Sequence, residues 1–235
     1  MPSPRAAASP DRPRRVQLSA PLILDAAAAV VERDGPGALT LRRLGTELGV
    51  NHTAVLRHFD GKDQIVLALA ARVLEEALDG FEPTGEWDAA FIQLAHRVRG
   101  AYLVHPGIAS LVAARVSRST AEFRGAELVL ATFERAGFSG REAAVLYLTV
   151  TDLTLALSAY EASVLTLDAE SREGDRLAIQ RDYLLAPATD FPHLAAAAPE
   201  LASISADEIF DSALGLVLDG IRFRRSRGQA TPERP

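Results

Sequence analysis

Three observations on this 235-residue chain predict an all-α fold. Aromatic residues make up only 6% of it, while Ala and Leu dominate, and both lose little free energy on entering a helix. Apolar residues recur three and four apart along most of its length, and no segment keeps the period-two alternation of a half-buried strand. Short breaks containing Gly, Pro or Ser separate these runs at distances suited to helices.

The elements follow in order. Residues 1–18 are rich in Pro, Ala and Arg without periodicity, and read as a flexible basic arm. Residues 19–34 form a first helix, with Ser19 as N-cap and Pro21 in the first turn. Its apolar face is Leu22, Ile23, Ala26, Ala27, Val30 and Val31, and Gly35-Pro36-Gly37 ends it. Thr40 caps a short second helix marked by Leu41, Leu44 and Leu48 and closed by Gly49. Asn51 caps a third, in which Val55 and Phe59 stand four apart. Asp60-Gly61 breaks the chain before a fourth helix, Lys62–Leu78, with Ile65, Leu69, Val73 and Leu74 on one face. Further helices are expected over 87–104, 107–116, 120–136, 141–165 and 206–224. His105-Pro106 and Gly137-Phe138-Ser139-Gly140 are stops between them. Residues 166–205 have mixed charge and three prolines, and predict a long loop with one short helix. Residues 226–235 read as a flexible tail.

Composition narrows the function classes. Without cysteine there are no disulfides, thiolate metal sites or cysteine nucleophiles, which fits a reducing cytoplasm. The start carries no apolar stretch of a secretory signal, and no window is read as approaching the ~20 apolar residues of a membrane span. No Gly-x-Ser-x-Gly elbow, phosphate loop or two-His metal motif is present, so an enzyme has no sequence support and no cofactor or metal is implied. The net charge of −6 is uneven: residues 1–62 carry +3 and the remainder −9. A basic end on an acidic body is suited to meeting phosphates, although halves of a chain often differ by a few charges.

The informative segment is 40–59, TLRRLGTELGVNHTAVLRHF. A helix that reads DNA must project far enough to enter the major groove, braced by a short helix through a tight turn. Small or apolar residues must then meet between the two: Leu44, Gly45 and Leu48 against Val55 and Phe59. A residue tolerant of positive φ should end the first helix, here Gly49. The outer face of the second must be polar: His52, Thr53, Arg57 and His58. An ordinary helical hairpin meets the same demands, and the residues alone leave both open.

The longer segment 22–70 resembles the DNA-binding domain of the tetracycline-repressor (TetR) family nearly end to end. The matching features are Ile23 to Ala27, the Gly before Ala38-Leu39-Thr40, Leu41 to Leu44, Gly49-Val50, Arg57-His58-Phe59 and Lys62. The resemblance implies a homodimeric regulator that binds a palindromic double-stranded DNA operator and is released by a small-molecule effector. It implies a phosphate contact at Thr40, base reading at His52 and Thr53, and backbone contacts at His58 and Lys62. Arg57 is placed for either role, and Arg42 and Arg43 are further phosphate candidates. Arg12, Arg14 and Arg15 of the arm could add phosphate or minor-groove contacts, an inert tail being the plainer reading. The family commonly has Tyr before Arg-His-Phe; here Leu56 stands there and can touch a thymine methyl or pack inward. Activation instead of repression, or a helical small-molecule-binding or modifying protein whose head has lost DNA binding, are the alternatives.

The expected domains are a DNA-binding head at 19–65 and a helical effector-binding and dimerisation domain at 66–225. Segments 95–116 and 134–157 resemble the C-terminal domains of tetracycline repressors, whose His and bound magnesium–drug complex map onto no motif here. The effector pocket is expected between the fourth and fifth helices and the middle of the domain. Its polar candidates are His96, Tyr102, His105, Tyr147, Thr151, Asp152 and Tyr160. Asp152 stands out, because a buried carboxylate needs a partner. Leu146, Val150, Leu153, Leu157 and Val164 form an apolar seam on one long helix, and Ile209, Ala213, Leu216, Val217 and Ile221 form another on the last helix. Two such helices can pair with their symmetry mates in a four-helix bundle.

Overall fold

The computed structural model describes residues 17–229, so Arg12, Arg14 and Arg15 lie outside the described residues. Among those described there are eleven α-helices and no strand. The head contains α1 (Ala20–Asp34), a 3-10 turn (Pro36–Ala38), α2 (Leu41–Glu47) and α3 (His52–Val55). Then come α4 (Lys62–Leu78), α5 (Trp87–Val104), α6 (Pro106–Val112), α7 (Thr120–Arg135) and α8 (Gly140–Leu165). The chain ends on α9 (Ala169–Arg181), α10 (Pro192–Leu201) and α11 (Ala206–Gln229).

Local chemistry sets the helix starts in the head. The Ser19 hydroxyl accepts from the Leu22 N–H at 3.5 Å, and the Thr40 hydroxyl from the Arg43 N–H at 3.1 Å. The Asn51 side-chain Oδ1 accepts from the Thr53 N–H at 2.9 Å. Each bond satisfies a donor that has no partner inside its own helix, worth about 1 kcal/mol.

Two apolar cores hold the molecule. The first is mainly aliphatic, with Ile23, Val30, Leu44, Val55, Ile65 and Leu69 all fully buried. It crosses the boundary expected at residue 65, because Ile108, Ala109 and Val112 of α6 belong to it as well. The second lies deeper in the body and is aromatic. Phe133 is its fully buried centre, with Trp87 and Phe138 rings each 6.3 Å away. Burying one such side chain contributes roughly 1.5–3 kcal/mol.

α8 is the spine of the body, packed on α5, α6, α7 and α11. By length and composition it is apolar enough to cross a membrane, which the sequence reading had excluded for every window. One side of it, including Ala143, Leu146, Val150 and Ala162, is buried against neighbouring helices. Leu146 and Val150, expected in an intersubunit seam, are buried within the subunit. On α11, Ile221 is buried too, while Ile209 and Leu216 are exposed. The apolar face left open comprises Val145, Leu148 and Tyr160 on α8 and Ile209, Leu216 and Phe223 on α11. The three on α11 are seven apart, which keeps them on one side of the helix.

Residues 166–205 differ from the expected loop with one helix, since α9 and α10 both form there. α9 is polar on most sides, so it offers no apolar period to read. Its start is fixed by Asp168, which accepts from the Ser171 N–H and hydroxyl, and by an Arg176–Glu173 pair one turn apart. α11 also runs on to Gln229, into the expected tail, because no Gly or Pro stands between Arg224 and Gly228. Arg99, a cation the sequence did not flag, ties α5 to α8 and α11. It donates to both Glu161 oxygens at 2.6 and 2.7 Å and to Asp207 at 2.6 Å, and lies over the Phe210 ring.

Candidate nucleic-acid interface and effector cavity

The turn between α2 and α3 is as tight as a reading head requires. Gly49 has φ +65°, and the Val50 N–H donates to the Gly45 carbonyl at 2.8 Å. A Cβ on Gly45 would sit 2.9 Å from the Val50 carbonyl oxygen and 3.0 Å from the His52 N. Only glycine lets the two helices approach this closely. Val55 and Phe59 are buried against the head, and His52, Thr53, Leu56, Arg57 and His58 are exposed on the opposite side. A last turn follows Val55, whose carbonyl accepts a 3-10-type bond from the His58 N–H and an α-type bond from the Phe59 N–H.

The exposed face has defined chemistry. The Thr53 hydroxyl donates to Asn51 at 3.0 Å, which leaves its lone pairs and methyl group for a base edge. Arg43 is drawn inward: it pairs with Asp34 at 3.0 Å and Glu47 at 3.2 Å, while Arg33 pairs with the same two carboxylates. These bonds clamp α1 to α2. The Arg33 and Arg43 guanidiniums hold the Asp34 carboxyl down to about 2 and the Glu47 carboxyl below its ordinary value. Arg42, Arg57 and Lys62 are exposed and form no ion pair among the described residues. Thr40, at the start of α2, is exposed as well, so all four leave donors open to solvent.

A cavity with about 110 Å³ open to the centres of water molecules lies between α4, α5, α6, α7 and α8. Its walls are mostly apolar, among them Val73, Leu74, Phe91, Leu94 and Val129. Of the expected polar residues, Tyr102, Tyr147 and Thr151 line it. Burial, then the Glu122 charge, pushes the Tyr102 phenol up to about 12, and the Tyr147 phenol is raised in the same way.

Four expected pocket residues lie elsewhere. His96 sits 2.9 Å from Asp211, edge-on to the Phe210 ring. His105 ends α5 and pairs with Glu76 at 2.8 Å. Tyr160 is 71% exposed. Asp152 is exposed as well, which corrects the expectation of a buried carboxylate: in contact with water it needs no partner. The cavity also contains Arg115, Glu122 and Thr154, which the sequence reading missed. Glu122 stands three residues after Ser119, the spacing of a capping box, so its only sequence signal is that of a helix start. Among the described residues there is no group of three or more His, Asp or Glu side chains that could hold a metal ion.

Head and cavity are joined at three places. α4 begins in the head at Lys62 and lines the cavity from Ala70 to Leu78. Glu32 of α1 accepts from the N–H groups of Gly107 and Ile108 at the start of α6, both at 3.0 Å. Arg115, a cavity residue just past α6, donates to Asp63 beside Lys62 at 2.5 Å.

A helix-turn-helix head that shares its core with a hollow helical body defines a DNA-binding regulator with a built-in sensor. Comparison with known proteins agrees. Residues 23–69 match the family model for bacterial regulatory proteins of the tetR family, and residues 80–225 match that of the tetracyclin repressor-like C-terminal domain. The chain therefore belongs to the TetR family of transcriptional regulators. It is 27% identical over 205 residues to the class A tetracycline repressor protein from transposon 1721 of Escherichia coli, covering 86% of this chain and 90% of that one. A possible TetR family transcriptional regulator from Streptomyces coelicolor A3(2) superposes with a TM-score of 0.74 at 26% identity, over 87% of this chain and 98% of that one. BioQ, solved with its natural double-stranded DNA operator, gives a TM-score of 0.58 at 28% identity over 73% of this chain and 100% of that one.

Proposed function

We propose that this regulator is a homodimeric, ligand-released repressor of the bacterial cytoplasm that acts without catalysis, with residues 19–65 reading DNA and the remaining helices sensing and dimerising. The observation that carries the proposal is the exposed, polar α3 face, together with exposed Arg42, Arg57 and Lys62, which form no ion pair among the described residues. Thr53 and His52 read base edges, with Leu56 against a thymine methyl. Thr40, Arg42, Arg57, His58 and Lys62 hold phosphates. Arg43 takes the lesser part, since two carboxylates already hold it. The likeness to operator-bound BioQ supports the DNA partner.

Within residues 17–62 basic and acidic side chains number five each, so the +3 of residues 1–62 comes from the arm. Its Arg12, Arg14 and Arg15 then supply much of the salt-dependent, sequence-independent affinity. Dimerisation uses the open apolar face of α8 and α11, and presents two recognition helices about one helical turn apart (~34–36 Å) to a palindrome.

Effector binding in the cavity shifts the population towards a state whose heads no longer match successive major grooves. α4 and α6 transmit the shift, because each touches the cavity and the head. DNA opposes it by the same coupling free energy, typically ~1–3 kcal/mol. The test is binding to DNA immediately upstream of the regulator's own coding sequence, with an unrelated fragment as control, across a salt series. Saturable, palindrome-dependent binding that outlasts the control is expected. If neither that fragment nor random-sequence selection yields a preferred site, the DNA-reading proposal fails.

A further inference from the structure

We propose that the cavity selects an apolar molecule whose polar end is uncharged or cationic and donates N–H or O–H hydrogen bonds, and that Glu122 makes this selection. The inference rests on reading the cavity as the effector site.

Glu122 lies in the first turn of α7 and does two things at once. One oxygen holds the segment leading into the helix: Oε2 accepts from the Ser117 N–H at 2.7 Å and from the Ser117 hydroxyl at 2.8 Å. The other, Oε1, accepts no hydrogen bond from the described residues, although the side chain lines the cavity. A carboxylate offers about four lone-pair positions, so half of its capacity is open.

The surroundings do not neutralise it. Arg115 is the one basic residue among the lining residues, and its guanidinium is engaged by Asp63. No Lys, Arg or His pairs with Glu122 among the described residues. Two phenols complete the polar end. Tyr102 is 7% exposed, and neither its hydroxyl nor that of Tyr147 has a hydrogen-bond partner among the described residues. The Glu122 charge acts on both phenols, which places all three groups in one electrostatic neighbourhood.

An anionic head group would meet like charge against a low-dielectric wall and leave Oε1 unsatisfied. An ammonium satisfies Oε1 and offsets the charge. A hydroxyl donates to Oε1 and accepts from a phenol, pairing two groups that are otherwise unmatched. The apolar remainder of the ligand lies against Leu74, Phe91, Leu94 and Val129.

The test uses one skeleton with three head groups: 4-phenylbutan-1-amine, 4-phenylbutan-1-ol and 4-phenylbutanoate. Binding to the full-length protein is measured by calorimetry and thermal shift at neutral pH. The amine and the alcohol are expected to bind and raise the unfolding temperature, with the carboxylate at least about tenfold weaker. E122Q keeps an oxygen able to accept from Ser117 and should shrink the amine-to-carboxylate preference to within about threefold. Y102F should weaken the alcohol while leaving the amine preferred over the carboxylate. Equal binding of amine and carboxylate, an E122Q preference like that of the parent, or no binding of any probe at millimolar concentration overturns the proposal. Operator binding by the unliganded protein is followed in parallel. Failure there with selective probe binding sinks the regulator reading alone; operator binding without head-group selectivity sinks this one alone.

Discussion

The head and the body hold themselves together differently. In the head, short helices start at Ser19, Thr40 and Asn51 through bonds that span three residues or fewer, and a glycine sets the turn. In the body, stability comes from contacts distant in sequence, such as Phe133 with Trp87 and Arg99 with Glu161 and Asp207. A small reading head needs fixed angles, which local bonds provide. A sensor needs a hollow among long helices, which only tertiary packing can enclose. The two meet in the first core, where α6 packs with α1 and α4, so a change around the cavity has a direct route to the head.

The strongest way to break this comparison is through the cores. Phe133→Ala removes the centre of the aromatic core and is expected to cost about 3–5 kcal/mol, and Leu44→Ala in the head about 2–5 kcal/mol. Because α6 belongs to both regions, either substitution should lower one shared denaturant transition. Two separated transitions would show that head and body are independent units.

Gly45→Ala comes next. Its Cβ meets backbone atoms at 2.9 and 3.0 Å, so the α2–α3 angle must change, at about 1–3 kcal/mol. Operator affinity should fall more than about tenfold in a gel-shift titration, while effector-site probes bind as before. Parent-like operator affinity would show that the angle is not critical.

Leu216→Glu places a charge on the open α11 face, where the side chain is 72% exposed in the single chain. Sedimentation should show a shift from dimer to monomer with the unfolding temperature of the isolated subunit little changed. A persistent dimer would move the interface elsewhere.

Glu32→Gln tests the joint itself. It weakens two bonds to α6 at a cost of about 1 kcal/mol and should reduce effector-driven release more than operator affinity. The smallest effect expected is on acid stability. The Asp34 carboxyl is lowered from 3.8 to about 2, so the α1–α2 clamp is fully present above pH 4 and is lost as pH falls through about 2. The unfolding temperature of the parent should therefore drop in that window more than that of the Arg33→Ala/Arg43→Ala double variant.

What could be read from the sequence follows the same division. Caps, breakers and the polar face of α3 are short-range signals, and His52, Thr53, Arg57 and His58 stand on the exposed face that their spacing implied. Arg43 shows the limit: its pairing with Asp34 depends on how α1 and α2 meet. In the body, period alone does not say which apolar side of α8 faces inward, and Leu146 and Val150 of the expected seam lie buried within the subunit. His96, His105, Asp152 and Tyr160 have residue types suited to a pocket, but lining a cavity depends on how helices rotate against one another. Glu122 carries only the local pattern of a helix start, which says nothing of the cavity it lines.

The most direct test of the central claim, that two heads held by one body read a palindrome, concerns spacing. The preferred operator is selected from random DNA, and its half-sites are then moved apart by half a helical turn, about 5 bp. The account predicts a loss of more than about a hundredfold in affinity, because the second head then faces the wrong side of the duplex. Unchanged affinity for the lengthened site would mean that each head binds alone, and would contradict it.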